Sequence, residues 1–182
     1  MELNINQTSI VLERGDITHQ TTGAIVNAAN GTLLGGGGVD GAIHSAAGKK
    51  LLDACKRVRE EELDGHKLPT GEAVITEGYQ LPADYVIHTV GPVWGGDQEK
   101  KEKLLKNCYE NSLNLAVKHE LKSVAFPAIS TGVYHFPKKL ATSIAVESVV
   151  QFARNHTLDK IVFVLFSEED YHIYQNELEK FD

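Results

Sequence analysis

Cysteine is scarce in this chain: two among 182 residues, Cys55 and Cys108, with no CxxC spacing. Neither a disulfide framework nor a zinc ribbon follows from such a pair, and two buried thiols in a reducing compartment fit it better. Histidine is more plentiful, at eight, yet there is no HExxH or comparable ligand spacing, and no GxSxG marks a nucleophilic serine. Metallohydrolase and serine-hydrolase routes therefore lack support. No apolar run approaches the roughly 20 residues a bilayer demands. Residues 1–10, MELNINQTSI, show no basic region followed by an apolar stretch, so a cytoplasmic protein is expected. Clusters of Lys and Arg interleaved with aromatics are also missing, and the net charge is -7. The electrostatic footprint of a nucleic-acid binder is absent, and nucleic acid is not expected as a partner. If this chain holds an anion, backbone N–H groups and helix N-termini must do the work.

What is present is an alternation. SIVLER, AIVNA, EAVITEG, YVIHTV, SVAFPA and KIVFVLF are short runs rich in Val, Ile or Phe, bounded by turn residues, and read as strands. Leu104, Cys108, Ser112, Leu115 and His119 recur at helical spacing. So do Leu140, Ile144, Ser148 and Phe152 after Pro137, a residue suited to a helix start. Ser167 precedes EEDYHIYQNELEKF as the cap of a C-terminal helix, with Asp170 three residues beyond it. This order predicts a three-layer α/β/α sandwich with a mostly parallel central sheet. No linker, repeat or low-complexity segment divides the chain. The nearest thing to a flexible break, GPVWGGDQEKKEK (91–103), is too short to separate domains, so residues 1–182 are read as one domain of a size that buries about 70% of its unfolded surface.

In open α/β sheets ligands sit beyond the carboxyl ends of the strands, and the unusual segments fall there. GDIT (15–18) follows SIVLER; NAAN and four successive glycines follow AIVNA; ISTGVYHFP (129–137) follows SVAFPA; Phe166 and Ser167 end KIVFVLF. Gly36, Gly38 and Gly41 satisfy GxGxxG, but NGTLL intervenes between strand and first glycine, which weakens a dinucleotide fingerprint even though residues 60–62 supply a later acidic group. The P-loop pattern fails because Ala42 and Ile43 stand where Lys and Ser/Thr are needed. What survives is the physics of a bare backbone, which can approach a ligand and expose consecutive N–H groups. DGAIHSAAG continues as a helix with Asp40 at its N-cap or first turn. Asp40 is thus either a cap or a ligand contact, and the neighbouring Asn27, Asn30 and glycines favour contact. Either carboxamide suits a vicinal diol; Asn30 is nearer the glycines, whereas Asn27 also fits a buried role satisfying backbone groups. The STG turn before Pro137 can cradle a phosphate.

GDIT, NAAN, LLGGGGVDGAIHSAAG, VIHTVGPVW and ISTGVYHFP, in this order and spacing, resemble the macrodomains, specifically the MacroD-type ADP-ribose hydrolases, from about Glu13 to Tyr174. The resemblance implies a single macrodomain with a mixed, mostly parallel sheet and an ADP-ribose pocket along its edge. Asp16 and the Ile17 amide would meet adenine, with Phe166 stacking on it. Gly37, Gly38 and Val39 on one side, and Ser130, Thr131, Gly132, Val133 and Tyr134 on the other, would wrap the diphosphate. Asn30 and Asp40 would hold the distal ribose, with Asn27 among the substrate-binding residues and Tyr134 as a wall. Before Pro137 the chain carries His135 and Phe136 where family members often have Gly-Tyr or a similar pair, so the outer wall of the ribose site is expected to differ.

The implied chemistry is hydrolysis of ester-linked ADP-ribose: mono-ADP-ribosyl groups on Asp or Glu side chains of proteins, and O-acetyl-ADP-ribose. No metal and no cofactor are called for, and a monomer is expected. A carboxylate beside a helix N-terminus is stabilised as the anion, which suits Asp40 to orienting ribose and water with Asn30 better than to abstracting a proton. The competing expectation is a reader that binds ADP-ribose or ADP-ribosylated proteins without cleaving them. A dehydrogenase would instead show nicotinamide-dependent redox activity.

Overall fold

A computed structural model describes residues 1–182. Seven strands form one sheet: β1 (Glu2–Ile5), β2 (Thr8–Arg14), β3 (Ala24–Ala29), β4 (Ala73–Glu77), β5 (Tyr85–Val90), β6 (Ser123–Phe126) and β7 (Lys160–Leu165). Their spatial order is β1-β2-β7-β6-β3-β5-β4. The five inner strands are parallel, and the edge strands β1 and β4 each pair antiparallel with their neighbour. The sheet is thus mixed and mostly parallel, in agreement with the sequence reading.

Five helices cover it: α1 (Gly38–Ala47), α2 (Lys49–Glu61), α3 (Gln98–Lys118), α4 (Lys138–Asn155) and α5 (Glu168–Glu179). Side chains alternate across each strand, and the two cores record that alternation. Ile161, Phe163 and Leu165 of β7 pack with α3, α4 and α5, whereas Val162 and Val164 pack with α1 and α2. Between β3 and β6 the chain divides, because β3 leads into α1 on one face and β6 into α4 on the other. Those two strands pair only through Ala24–Val124 and Ile25–Ala125, so their carboxyl ends open into a crevice at the topological switch point.

Two elements have no counterpart in the sequence reading. β1 offers only Leu3 and Ile5 as apolar signal over four residues. α2 follows α1 after the single residue Gly48, whose φ of 88° turns the chain. Of the α3 positions read as one face, Cys108 and Ser112 are buried, Leu104 and Leu115 are half-buried and His119 is exposed, while Leu105, Tyr109, Leu113 and Ala116 complete the buried stripe. The stretch 91–103 is no flexible break: α3 begins at Gln98, where the Asp97 carboxylate accepts from the Lys100 amide at 3.2 Å. Ser167 caps α5 as expected, its hydroxyl accepting from the Asp170 amide at 3.1 Å. Both cysteines are free and buried. Burial pushes the Cys55 thiol up to about 12 and Cys108 to about 11, so neither is a thiolate at neutral pH. No helix is long and apolar enough to cross a membrane.

Candidate active site

A cavity of about 460 Å³ occupies the crevice between β3 and β6. Its walls include Asn30, Gly37, Gly38, Val39 and Asp40 from one side and Ser130, Gly132, Val133 and Tyr134 from the other. Nine of the fourteen residues expected at the site therefore share one cavity. Thr131 lies in the same turn but off the wall. Asp16 and Ile17 stand beyond β2, and Phe166 beyond β7, the next strands along the same edge. The Gly15 amide donates to the Leu165 carbonyl at 3.1 Å, which ties these two turns together, and Phe166 is 90% exposed.

The backbone donors at this site are free. N–H groups at 35–40 and at 130–134 donate to no acceptor within the chain. Along the first run the cause is the start of α1: the opening turn of a helix has no internal partners, and Gly37 at the N-cap makes no side-chain bond. Asp40 is consequently a first-turn residue and not the cap. Along the second run the chain turns too tightly for pairing, with Ser130 in the left-handed region at φ 66°. Two runs of unpaired amides face each other across one crevice.

Close approach is enforced at two glycines. A Cβ on Gly41 would lie 2.4 Å from the Gly36 carbonyl oxygen, and one on Gly91 would lie 2.1 Å from Ser130 Oγ. The first contact folds the glycine loop back onto α1; the second lets the turn after β5 press against the turn after β6.

Asn30 holds the glycine loop from within. Its Nδ2 donates to the Gly35 carbonyl at 2.9 Å, while its Oδ1 accepts from the Thr32 amide at 3.0 Å and from the Thr32 hydroxyl. One amide hydrogen has no partner within the chain. A Cβ on Gly36 would stand 3.3 Å from both Asn30 Nδ2 and Asp40 Oδ2, so these two polar atoms flank the same patch of backbone.

Asn27 takes the buried one of its two expected roles and not the substrate contact. It is fully buried, and its Nδ2 lies 2.8 Å from Asp40 Oδ1 and 3.2 Å from His88 Nδ1. The side chain sits behind Asp40, bonds side chains and not backbone, and has no surface to offer a substrate. Alternation explains the placement: Ile25 and Ala29 face α1 and α2, and Asn27 falls between them.

Sequence reasoning missed the rest of this cluster. His44, one helical turn after Asp40, brings its Nε2 to 3.5 Å from Asp40 Oδ1. His88 alternates with Val86 and Val90, which both face the α1/α2 side, and is fully buried with its Nε2 3.0 Å from Thr76 Oγ1. Burial, reinforced by His44, pushes His88 down to about 3, so its imidazole is neutral at pH 7. The readable signal was a histidine amid inward-facing valines. Trp94 was also missed as a support: its amide donates to the Tyr134 carbonyl at 2.9 Å and its ring packs on Phe136 at 4.5 Å between centroids. Of the two residues that depart from the family pattern, Phe136 is buried and His135 is exposed.

At the far end Asp16 Oδ1 accepts from the Thr18 amide at 2.9 Å and the Thr18 hydroxyl at 2.6 Å. The hydroxyl, then the amide, holds this carboxyl below its ordinary range. His19 Nε2 lies 3.8 Å from Oδ2, so Oδ2 has no short bond within the chain.

Comparison with known proteins agrees with this geometry. The Macro domain family model matches residues 26–145. An O-acetyl-ADP-ribose deacetylase of Escherichia coli K12 is 51% identical over 170 residues, covering 93% of this chain and 94% of its own. A macrodomain of Oceanobacillus iheyensis solved with ADP has 52% identity and a TM-score of 0.97, covering all of this chain and 95% of that one. A Trypanosoma brucei macrodomain in complex with ADP-ribose has 44% identity and a TM-score of 0.83, over 92% of this chain and 68% of its own.

Proposed function

The chain belongs to the Macro domain family, and on that premise we propose that it binds ADP-ribose and hydrolyses its esters as a MacroD-type enzyme, residues 1–182 acting as one macrodomain. The observation that carries the reading is the pair of unpaired amide runs, 35–40 and 130–134, across a cavity of about 460 Å³. Fixed amide dipoles favour a diphosphate without any basic side chain. This suits a chain of net charge -7.

With the diphosphate between β3 and β6, the strand order supports a course for the rest of the ligand. Adenine extends toward β7 and β2, where Asp16 Oδ2 accepts from the exocyclic amine, the Ile17 amide meets the ring and Phe166 covers its face. The distal ribose meets Asn30, Asp40 and Tyr134. Asp40 Oδ2 and the remaining Asn30 N–H orient the ribose and a water beside the ester. That water adds to the ester carbonyl, and the bond from the acyl carbon to the ribose oxygen breaks. The ribose oxygen takes up the water's proton to become a hydroxyl, and the acyl group is released as acetate or as the free carboxylate of Asp or Glu. The substrates are accordingly O-acetyl-ADP-ribose and proteins mono-ADP-ribosylated on acidic residues. The deacetylase named among the relatives supports the first, and the same ester chemistry supports the second. Two free, buried thiols suit a cytoplasmic setting, and we take the working form to be a monomer without metal or cofactor.

Calorimetry with free ADP-ribose tests the pocket; release of acetate from O-acetyl-ADP-ribose and of label from a mono-ADP-ribosylated protein, with and without a chelator, tests the chemistry. Asp40→Ala and Asn30→Ala, each assayed for turnover and affinity, test the roles. Binding without turnover would make the protein a reader, and unchanged turnover and affinity in both variants would remove the assignment.

A further inference from the structure

We propose that Asn27 and His88 are positioning residues that lock the Asp40 carboxylate, holding Oδ1 inward so that Oδ2 faces the cavity; the catalytic consequence rests on the hydrolase reading above. The geometry leaves a single hydrogen-bond arrangement. Asn27 Nδ2 lies within reach of both Asp40 Oδ1 (2.8 Å) and His88 Nδ1 (3.2 Å). A carboxylate only accepts, so the carboxamide nitrogen belongs on that side. Its second hydrogen then points at His88, whose Nδ1 must carry the lone pair. The imidazole proton therefore sits on Nε2, which donates to Thr76 Oγ1 at 3.0 Å, with Cys55 Sγ 3.8 Å away.

The unpartnered atom supports this arrangement. Asn27 Oδ1 is buried without any hydrogen-bond partner, a cost that turning the amide over does not relieve. The turned amide would press its oxygen against the Asp40 carboxylate and against the His88 lone pair. The Asp40 carboxylate and the His88 lone pair thus require the same orientation of Asn27, and the Asn27 amide, held from both sides, keeps Oδ1 of Asp40 turned inward. The groups facing this cluster come from three neighbouring elements: Asp40 and His44 on α1, Cys55 on α2 and Thr76 on β4. A neutral imidazole is required, since a proton on Nδ1 would turn the acceptor into a second donor. Burial keeps it neutral.

Two measurements on the full-length protein test the proposal. Nitrogen-15 NMR of the histidine side chains is expected to show His88 as the Nε2–H tautomer at pH 7, with an imine-like Nδ1; an Nδ1–H tautomer would overturn the lock, and this readout needs no substrate. In kinetics, His88→Leu removes the acceptor and is expected to lower kcat about tenfold to a hundredfold while the Kd for ADP-ribose stays within about threefold. His88→Asn, whose oxygen can replace the Nδ1 acceptor, is expected to recover most of the loss. In an Asp40→Ala background His88→Leu should cost nothing further. Equal losses in the Leu and Asn variants, or a loss confined to affinity, would overturn the proposal, and the Asn variant keeps it testable if His88→Leu fails to fold. Wild-type protein that binds ADP-ribose without turnover would instead overturn the hydrolase reading, and the tautomer would still judge the lock.

Discussion

Residues 35–40 are held in place from within, whereas residues 130–134 are held from outside. The first loop is nearly free of side chains, and Asn30 and Asp40 lace it to its own strand and helix. The second carries side chains at every position but Gly132 and places Ser130 in a left-handed conformation at φ 66°, a state that costs a non-glycine residue about 1–2 kcal/mol. It is kept there by the turn after β5, where Gly91 makes room for Ser130 and Trp94 grips Tyr134 and Phe136. Both solutions present unpaired amides to the same crevice. They differ in what a lesion should do: damage to the first loop reaches Asp40 and hence chemistry, while damage to the second reaches only the grip on the ligand.

The largest separation is expected from Gly41→Ala. Its Cβ meets backbone at 2.4 Å, and neither partner is a flexible side-chain end, so the loop must move. Overpacking of this kind costs about 1–3 kcal/mol even after the helix-propensity gain of alanine. Denaturant unfolding should show that loss, and turnover at saturating substrate should fall by about a hundredfold, because the moved loop carries Asp40, with ADP-ribose affinity in calorimetry falling as well.

Acid should strike the same side. His88 is depressed to about 3 in the fold, against about 6.5 in the unfolded chain. Below pH 6.5 the unfolded state therefore binds the extra proton, and stability falls as pH drops toward 3. The expected loss between pH 7 and pH 5 is about 2 kcal/mol. Thermal melts across that range measure it, and the His88→Leu variant should flatten the slope.

Legibility in the sequence follows the same division. The parallel strands, the switch-point edge and the glycine loop could all be read, because they depend on apolar runs and on turn residues that announce themselves locally. Asn30 and Asp40 could be picked out because they lie beside the glycines. The choice between the buried and the substrate-binding reading of Asn27 is not legible locally: being three residues from Asn30 does not tell which face of β3 the side chain takes, and only alternation with Ile25 and Ala29 decides it. His88 comes from β5, which long-range pairing brings beside β3 with Asn27 opposite His88, 61 residues away, and Thr76 comes from β4 on the far side of β5; no local pattern encodes their meeting with Asn27 and Asp40. Trp94 escaped notice for a related reason, because a glycine-flanked tryptophan before a charged helix reads as loop until Phe136 is found under its ring.

On the second loop, Trp94→Ala is expected to cost about 1.5 kcal/mol through lost aromatic packing and to weaken ADP-ribose binding about tenfold, since the ring no longer restrains Phe136. Turnover at saturating substrate should stay within about threefold of wild type, because Asp40 and Asn30 are untouched. A large fall in kcat with little change in Kd would erase the distinction between the loops.

The smallest and sharpest test is Ser130→Gly. Glycine accepts φ 66° without strain, and the hydroxyl it removes is buried without a partner, so two unfavourable features disappear together. Against this, glycine gives the unfolded chain more freedom, and the wall facing Gly91 loses a contact. These contributions are each about 1 kcal/mol and oppose one another, so unfolding free energy should change by less than that. Affinity should nonetheless fall about threefold, because a turn that glycine can leave freely presents its amides less rigidly to the diphosphate. Stability and affinity moving in different directions at one residue would identify the left-handed serine as a device for holding donors in place. Affinity equal to wild type would mean that the outer clamp alone sets this loop, and that the strain at Ser130 serves nothing in binding.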